Sequence, residues 1–263
     1  MRVTWWGHAT VAVRDADTTI ITDPLLRDRV AHLRRRRGPA PRLGNPPDAA
    51  VISHLHSDHC DLASLRLLPR RTRLIAPRGS AGFLRRQLDD RDVTELAVGE
   101  ETVVGGLRIR AVPARHDGRR RPVPHTRAPA LGYVIAGSRT VWFAGDTGLY
   151  DAMSALGPID LALVPVWGWS WTLGAGHLNP VDAAEAMRRI GPALAVPIHW
   201  GTLWPIGCGR IRPDRFHRPG AEFAAHTARV APRTQVRVLA PGESFSLADP
   251  LNLADPLHRT NPA

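Results

Sequence analysis

Apolar and polar positions along the chain predict a group of short strands, followed by an alternation of strands with helices. Near the start, β-branched and aromatic residues predict strands at 3–6, 10–13 and 18–21. Later apolar runs predict strands at 49–52, 73–76, 93–96, 107–112, 131–136, 140–144, 161–164, 193–198 and 236–239. Between these groups, residues 27–47 lack clear periodicity and are predicted to form a basic loop.

Helical spacing predicts helices from residue 61, over 80–88, after residue 179 and near 220–230. The signal is clearest after Asn179, a capping residue followed by Pro180 at the first helical position. This order of elements suits two sheets with helices on the outside, a four-layer α/β sandwich. We predict one domain over residues 1–248 and a loose tail at 249–263.

Composition favours a soluble enzyme-sized globule. The chain has 263 residues, of which 43% are hydrophobic and 22% charged, ordinary values for a globular domain. No apolar run approaches the roughly 20 residues of a membrane-spanning helix, and the first residues read as a strand rather than a signal peptide. Cys60 and Cys208 are too few for a disulfide framework. A cytoplasmic location is therefore expected.

The charge balance is strongly basic, with a formal net charge of +11. The chain contains no lysine, so all 35 basic residues are arginine, and the excess resembles a compositional bias. Arginines still cluster at 34–37, 70–71 and 119–121. A nucleic-acid partner stays open but is not favoured on charge alone.

The residues that point most directly to chemistry form the run His54-Leu55-His56-Ser57-Asp58-His59, directly after the apolar stretch 49–52. Three histidines and a carboxylate in six residues are costly to bury without partners. In extended backbone, His54 and His56 point the same way and can hold one ion together. Asp58 and His59 follow as the chain turns and can face a second ion. Imidazole nitrogen and carboxylate oxygen suit zinc and similar ions, so the run predicts a metal site.

Other polar residues stand where predicted strands end. His116 follows one apolar strand, Asp146 follows a second and His199 follows a third. Each alone could be a capping or core residue. Together with the histidine run they place four strand ends at one predicted rim, which favours a shared site.

The combination H-x-H-x-D-H, a distant His, Gly145-Asp146-Thr147 and a final His resembles the metallo-β-lactamase superfamily over nearly the whole chain. Shorter stretches resemble one branch, the ascorbate-6-phosphate lactonase-like and N-acylphosphatidylethanolamine phospholipase D-like hydrolases. These stretches are Trp6-Gly7-His8-Ala9-Thr10, Asp23-Pro24, Pro113-Ala114-Arg115-His116 and Pro197-Ile198-His199-Trp200-Gly201-Thr202. The resemblance implies an αββα sandwich.

The resemblance also implies two divalent metal ions, with zinc first and manganese or iron as alternatives. The first ion would be held by His54, His56 and His116, and the second by Asp58, His59 and His199, with Asp146 bridging both. Two cations about 3.5–4 Å apart can share a hydroxide that attacks a carbonyl or phosphoryl centre. Asp58 has a second role open to it, orienting that hydroxide.

On the substrate side, the resemblance suggests roles for His8, Asp23, His177 and Arg119. His8 and Asp23 would lie behind the metal ligands or at the substrate rim, although hydrogen bonding at strand ends explains them equally well. His177 could touch a phosphate or protonate a leaving group. Arg119 could bind a phosphate or carboxylate. The stretch Trp167-Gly168-Trp169-Ser170-Trp171, more Gly-rich in relatives, is either an apolar substrate wall or a loop packed over the core.

These features predict a binuclear hydrolase, phosphodiesterase-like or lactonase-like, acting on a small anionic phosphodiester, lactone or related ester. A metal-dependent nuclease is the first alternative. An iron-containing redox protein and a binding protein without turnover are alternatives of another class. The sequence leaves the substrate, the metal and self-association as a homo-oligomer undecided.

Overall fold

Two seven-stranded mixed sheets and one three-stranded sheet form the framework of the protein. The computed structural model describes residues 1–120 and 128–247. The predicted tail at 249–263 and the predicted domain boundary at residue 248 lie outside the described residues. The four-layer α/β prediction can therefore be compared with the structure over nearly all of the predicted domain.

The first sheet contains, in spatial order, β17 (Ser244–Ser246), β1 (Arg2–Gly7), β2 (Thr10–Asp15), β3 (Thr18–Thr22), β6 (Ala49–Val51), β7 (Arg73–Pro77) and β8 (Val93–Leu96). Strands β17, β1, β2 and β3 pair antiparallel, and β3, β6, β7 and β8 pair parallel. The mixed pairing reflects the connections, because short turns join antiparallel neighbours whereas parallel neighbours need longer crossovers.

The second sheet contains β16 (Gln235–Val236), β14 (Leu194–Ile198), β13 (Leu161–Pro165), β12 (Thr140–Phe143), β11 (Leu131–Ala136), β10 (Leu107–Pro113) and β9 (Glu101–Val104). Strands β9 to β12 pair antiparallel, and β12, β13, β14 and β16 pair parallel. The small third sheet contains β15 (Leu203–Pro205), β5 (Leu33–Arg35) and β4 (Arg29–Val30).

Helices cover the outer faces of the two large sheets. They are α1 (Leu62–Leu67), α2 (Ala81–Gln87), α3 (Pro180–Ile190), α4 (Pro213–His217) and α5 (Pro219–Val230), with a 3₁₀ turn at Asp151–Ala155. Neighbouring side chains of a strand point to opposite faces. Ile20 therefore enters the core between the sheets, whereas Ile21 packs under α2 beside Phe83. The predicted αββα layering is confirmed.

Several details differ from the expectation. The predicted loop 27–47 contains β4 and β5, and the strand predicted at 236–239 is limited to Gln235–Val236. The sequence did not reveal β5 because one of its two buried positions is occupied by Arg35, so the strand lacks an alternation of apolar and polar residues. The Arg35 guanidinium donates to the backbone oxygens of Trp6 and Leu25 at 2.9 and 3.3 Å, which compensates part of the cost of burial. Strands β9 and β15 and helix α4 were also missed.

Among the described residues, no helix is long and apolar enough to cross a bilayer. The longest helix, α5, has 12 residues, against roughly 20 that a bilayer requires.

The predicted start and end of α3 are confirmed in atomic detail. The Asn179 side chain accepts hydrogen bonds from the backbone N–H groups of Val181 and Asp182 at 2.8 and 3.0 Å. At the other end, Gly191 adopts the left-handed conformation, with φ +66°, that terminates helices. The Asn179 side chain thus satisfies two backbone N–H donors that would otherwise lack a partner within the helix.

Replacing Asn179 by alanine is expected to lower the free energy of unfolding by about 1 kcal/mol, because two backbone donors lose their acceptor. Urea denaturation followed by circular dichroism measures the change. Asn179→Ser keeps a capping oxygen and serves as the matched control, with a smaller expected loss. Equal stability of Asn179→Ala and the unmodified protein would show that the cap does not contribute.

Candidate metal centre

The predicted metal ligands lie where strands of both large sheets end at one rim. In the first sheet, β6 ends shortly before His54. In the second sheet, β10, β12 and β14 run in the same direction and are followed by His116, Asp146 and His199. Because strands that run in the same direction end at the same edge, the three side chains meet there.

The histidine run changes direction within itself. His54 and His56 leave the strand end with their rings 4.6 Å apart between centroids. The chain then turns, and the backbone N–H groups of His59 and Cys60 donate to the backbone oxygen of His56 at 3.1 and 2.8 Å. Asp61 caps the following helix α1. The turn therefore brings Asp58 and His59 back to the centre, and the ring of His59 lies 4.2 Å from the ring of His54 between centroids.

Among the described residues, four overlapping groups of candidate ligand atoms result, and within each group these atoms lie within 4.8 Å of one another. Two of them are Asp23, His54 and His59, and His116, Asp146 and His177. The remaining two are His54, His56 and His116, and His8, Asp58, His59 and His199. Of these last two, the first group matches the set that the resemblance implied for one ion, and the second group contains the set implied for the other ion together with His8.

Asp146 lies between the first and second groups. Its Oδ2 atom is 3.3 Å from Nε2 of His59 and 4.0 Å from Nε2 of both His54 and His116. Its Oδ1 atom is 3.3 Å from Nε2 of His199. One carboxylate therefore contacts nitrogen atoms of both groups, which is the position expected of a bridging ligand.

The donor set fits divalent ions. Nε2 of His54 and Oδ1 of Asp146 are buried and have no hydrogen-bond partner among the described residues, an arrangement that is costly unless something else satisfies these atoms. Nε2 of His59 lies 2.9 Å from Nε2 of His199, and Nε2 of His116 lies 3.2 Å from Nδ1 of His56. Imidazole nitrogens that converge in this way, beside buried carboxylates, suit zinc or a neighbouring divalent ion.

The first group is electrostatically prepared for a cation. Burial, reinforced by neighbouring imidazoles, lowers the pKa of His54 well below its usual value. Burial likewise lowers the pKa of His56 to about 4, although nearby carboxylates oppose the shift. Both rings are therefore neutral near pH 7, and the neutral imidazole is the form that binds metal.

The second group holds the negative charge. Burial opposes ionisation of Asp58 and Asp146, but adjacent histidines outweigh it and hold the pKa of both carboxyls well below the usual range. Burial would lower the pKa of His59, yet Asp146, Asp58 and Asp23 together raise it well above normal. With a cation bound here, His59 would lose its second proton, because the cation would supply the positive charge that balances these carboxylates.

Asp23 supports His59 from behind. Nδ1 of His59 donates to Oδ2 of Asp23 at 2.6 Å, and the backbone N–H and hydroxyl of Ser53 donate to the same carboxylate at 2.7 and 2.6 Å. Asp23 is fully buried and does not line the cavity. Of the two positions considered for it, the structure places it behind a ligand rather than at the substrate rim. It fixes the ring so that Nε2 faces the centre.

His8 is also buried and supports the second group. Burial and the neighbouring His199 lower the pKa of His8 to about 3, so its ring is neutral. Its Nε2 atom lies 3.1 Å from Oδ2 of Asp58, and its backbone oxygen accepts the N–H of His199 at 2.8 Å. Like Asp23, His8 is absent from the cavity wall, so it orients Asp58 and His199 rather than contacting a substrate.

A cavity of about 550 Å³ opens onto the centre. One wall is the loop 166–178 between β13 and α3, which we call the entrance loop. His177 on this loop lines the cavity, and its Nε2 atom lies 3.3 Å from Oδ2 of Asp146. Burial opposes protonation of His177, but the contact with Asp146 outweighs it and raises the pKa of the ring. His177 is thus brought to the centre, as predicted.

Arg119 is not brought to the cavity. Its guanidinium forms a double hydrogen bond with the carboxylate of Asp117, with distances of 2.7–3.0 Å, and the side chain is exposed. Asp117 lines the cavity whereas Arg119 does not. The predicted phosphate contact of Arg119 therefore has no counterpart in this arrangement, since the arginine already has an anionic partner. Arg121, in the same cluster, lies outside the described residues.

Cys60 stands beside the ligands but is a buried, free thiol. Burial raises its pKa to about 12. A thiol with such a pKa stays protonated and behaves as a small apolar side chain.

Trp169 is the residue that sequence reasoning did not single out. Its indole N–H donates to Oδ2 of Asp58 at 3.0 Å, and its ring meets the ring of His32 edge-on at 5.0 Å between centroids. Trp167 is buried in the core, whereas Trp171 is 37% exposed. The tryptophan stretch therefore does more than line the substrate cavity or pack over the core, because the indole of Trp169 contacts the candidate ligand Asp58. No spacing signal distinguishes Trp169 from its neighbours.

Comparison with known proteins agrees with this geometry. The profile of a family described as the β-lactamase superfamily domain matches residues 18–200. A metal-dependent hydrolase of Opitutus terrae, assigned only to an uncharacterised protein family, is 30% identical over 257 residues, which cover 94% of this chain and 100% of that protein.

Another relative is N-acyl-phosphatidylethanolamine-hydrolyzing phospholipase D 1 of Caenorhabditis elegans. It is 33% identical over 222 residues, covering 74% of this chain but only 62% of the relative. Among solved structures, the metallo hydrolase Igni18 of Ignicoccus hospitalis has a TM-score of 0.70 at 22% identity, covering 94% of this chain and 99% of that one. This likeness supports the fold.

Proposed function

This chain belongs to the β-lactamase superfamily domain family, and from that premise we propose that it is a hydrolase with two divalent metal ions. Zinc is the ion we propose, ahead of manganese and iron, because the centre is rich in imidazole nitrogen. The observation that carries the proposal is the position of Asp146 between two groups of histidines.

His54, His56 and His116 would hold one ion, and Asp58, His59 and His199 the other, with Asp146 shared. Metal ions in such a centre supply a nucleophilic water of lowered pKa and stabilise negative charge that develops on oxygen. Asp23 holds the ring of His59, and His8 and Trp169 hold Asp58, each through the hydrogen bonds given above. The protein thereby keeps its ligands oriented before a substrate enters.

We propose a small anionic phosphodiester, lactone or related ester as the substrate. His177 places an imidazole on the cavity wall, with Nε2 3.3 Å from Oδ2 of Asp146, where it could pass a proton to a leaving oxygen. The cavity of about 550 Å³ has the size of a small-molecule site. The Caenorhabditis elegans relative is named for hydrolysis of a phospholipid, so phosphodiesters are the first class to test.

The first test is metal content by plasma mass spectrometry on protein purified without chelator or nickel resin. About two equivalents of zinc per chain are expected, with hydrolysis of bis(p-nitrophenyl) phosphate or a lactone. Dialysis against a chelator is expected to abolish turnover and lower the melting temperature, because ions that bind only the folded state stabilise it. Zinc is expected to restore both.

Two single histidine variants provide a matched comparison. His116→Ala is expected to lose metal, whereas His226→Ala, on the exposed side of α5, is expected to retain it. Failure to hold any ion after reconstitution would reject the proposal. Iron as the dominant ion, without hydrolysis, would favour the redox alternative instead.

A further inference from the structure

A second cavity lies on the first sheet, on the face that points away from the other sheet. It has a volume of about 400 Å³, and we call it the arginine groove. Its floor is formed by outward-facing residues of β1, β2 and β3, and the loop 42–47 forms one wall. The lining residues used below are Arg2, Trp6, Arg14, Ile21, Arg42 and Leu43.

Two of its arginines are in an unfavourable arrangement. Arg2 and Arg14 are directly opposite each other in the antiparallel pair of β1 and β2. Directly opposed side chains of neighbouring strands lie about 4.5–5.5 Å apart at Cβ, and like charges in such pairs are destabilising. The excess of arginine over acidic residues explains unpaired arginines in general, but it does not explain their placement in register.

No carboxylate compensates these charges. Within the described part of the chain, Arg2, Arg14 and Arg42 form no ion pair, and no acidic residue lines the arginine groove. Arg14 makes one hydrogen bond, from Nε to the backbone oxygen of Ala16 at 3.1 Å. Asp48, just beyond the groove, accepts the backbone N–H of Thr19 instead of an arginine. The groove therefore concentrates positive charge with donors to spare.

The floor of the groove adds an apolar surface and one unused donor. Ile21 and Leu43 contribute aliphatic side chains beside the indole of Trp6. Nε1 of Trp6 is buried and has no hydrogen-bond partner among the described residues, which is uncommon for a buried indole. An acceptor supplied by a ligand would satisfy it.

We propose that the arginine groove is a binding site for a phosphate monoester, with the phosphate held by Arg2, Arg14 and Arg42 and an apolar or aromatic body lying on Trp6. Planar guanidinium groups form paired hydrogen bonds with phosphate oxygens, and a dianion between Arg2 and Arg14 converts their repulsion into attraction. The cavity volume lies within the range of small-molecule sites. This site is separate from the metal centre and does not depend on the proposed hydrolysis.

The test is calorimetric titration of the intact, metal-loaded protein with phenylphosphonate, which has no ester bond to hydrolyse. Phosphonate oxygens can also bind the metal ions, so two equivalents are expected, one at each site. The double variant Arg2→Gln/Arg14→Gln is expected to lose the groove equivalent, with affinity weakened about tenfold or more. Arg71→Gln/Arg233→Gln removes the same charge from two exposed arginines outside the groove and is expected to bind both equivalents.

Two further measurements separate a binding role from a structural one. Without ligand, the melting temperature of Arg2→Gln/Arg14→Gln is expected to equal or exceed that of the unmodified protein, because two opposed charges are removed. Arg42→Gln, on the loop wall, provides a second variant in which the strands are untouched, and weaker binding is expected again.

Inorganic phosphate distinguishes the two sources of the anion. Binding as tight as that of phenylphosphonate would assign the site to free phosphate, and weaker binding would show that the organic body contributes on Trp6. Either result supports an oxyanion site. Equal numbers of bound equivalents, at equal affinity, in the unmodified protein and in Arg2→Gln/Arg14→Gln would overturn the proposal.

Discussion

Replacing Asp146 by alanine is expected to lower both metal affinity and turnover by more than about 100-fold. The reason is electrostatic. Its carboxylate contacts histidines of both ligand groups at 3.3–4.0 Å and is almost completely buried. Without this negative charge, two cations in the centre would repel each other with little screening. Metal per chain after dialysis and the rate of ester hydrolysis measure the two effects.

Asp146→Asn removes the negative charge but keeps the size of the side chain. If metal affinity and turnover fall as far as in the alanine variant, the effect is due to the charge. Asp151→Ala is the matched control, since Asp151 is an exposed carboxylate in the 3₁₀ turn that forms an ion pair with Arg189 of α3. Full metal occupancy in Asp146→Ala would contradict the bridging role.

Replacing Trp169 by phenylalanine is expected to weaken binding of one of the two ions by about 10- to 100-fold, the range typical of groups that orient a ligand. Phenylalanine keeps an aromatic ring against His32 but cannot donate the hydrogen bond of 3.0 Å to Asp58. Oδ2 of Asp58 would retain the contact with His8 at 3.1 Å and the longer contacts with His59 and His199 at 3.6 and 3.8 Å. Titration with zinc against a competing chelator measures each affinity separately.

Trp171→Phe is the control for that experiment, because Trp171 lies on the same entrance loop but does not line the cavity. The visible absorption spectrum of the cobalt-loaded protein reports on the metal ligands rather than on side-chain packing. Its bands are expected to shift in Trp169→Phe and to stay constant in Trp171→Phe. Identical spectra and affinities in both variants would show that Trp169 does not position Asp58.

The entrance loop joins the cavity to both candidate carboxylates of the centre. Trp169, near its start, contacts Asp58, and His177, near its end, contacts Asp146. A change in the path of this loop therefore alters both carboxylates together.

The fold shows what individual arginines of this arginine-rich chain contact. Arg119 is paired with Asp117 and Arg35 is buried against backbone oxygens, so neither offers a free cation to a ligand. The two arginines that face each other across β1 and β2 were not singled out by the sequence clusters. The proposed anion site therefore rests on strand register rather than on a local run of arginines.

The sequence alone determined the order of strands and helices, the cap of α3 and the candidate ligands from His54 to His199. These are local properties, because hydrophobic period defines an element and a polar residue directly after a strand must lie at the edge of the sheet. The family resemblance added the division of the ligands between two ions.

Only the tertiary structure decided how those ligands are supported. Trp169 and Asp58 are 111 positions apart, and Asp23 and His59 are 36 apart, so their contacts depend on the paths of loops and on the packing of two sheets. The same holds for the pairing of Arg119 with Asp117 and for the register of Arg2 with Arg14. Periodicity assigns a side chain to a face, but its partner on that face is determined when distant strands meet in one register.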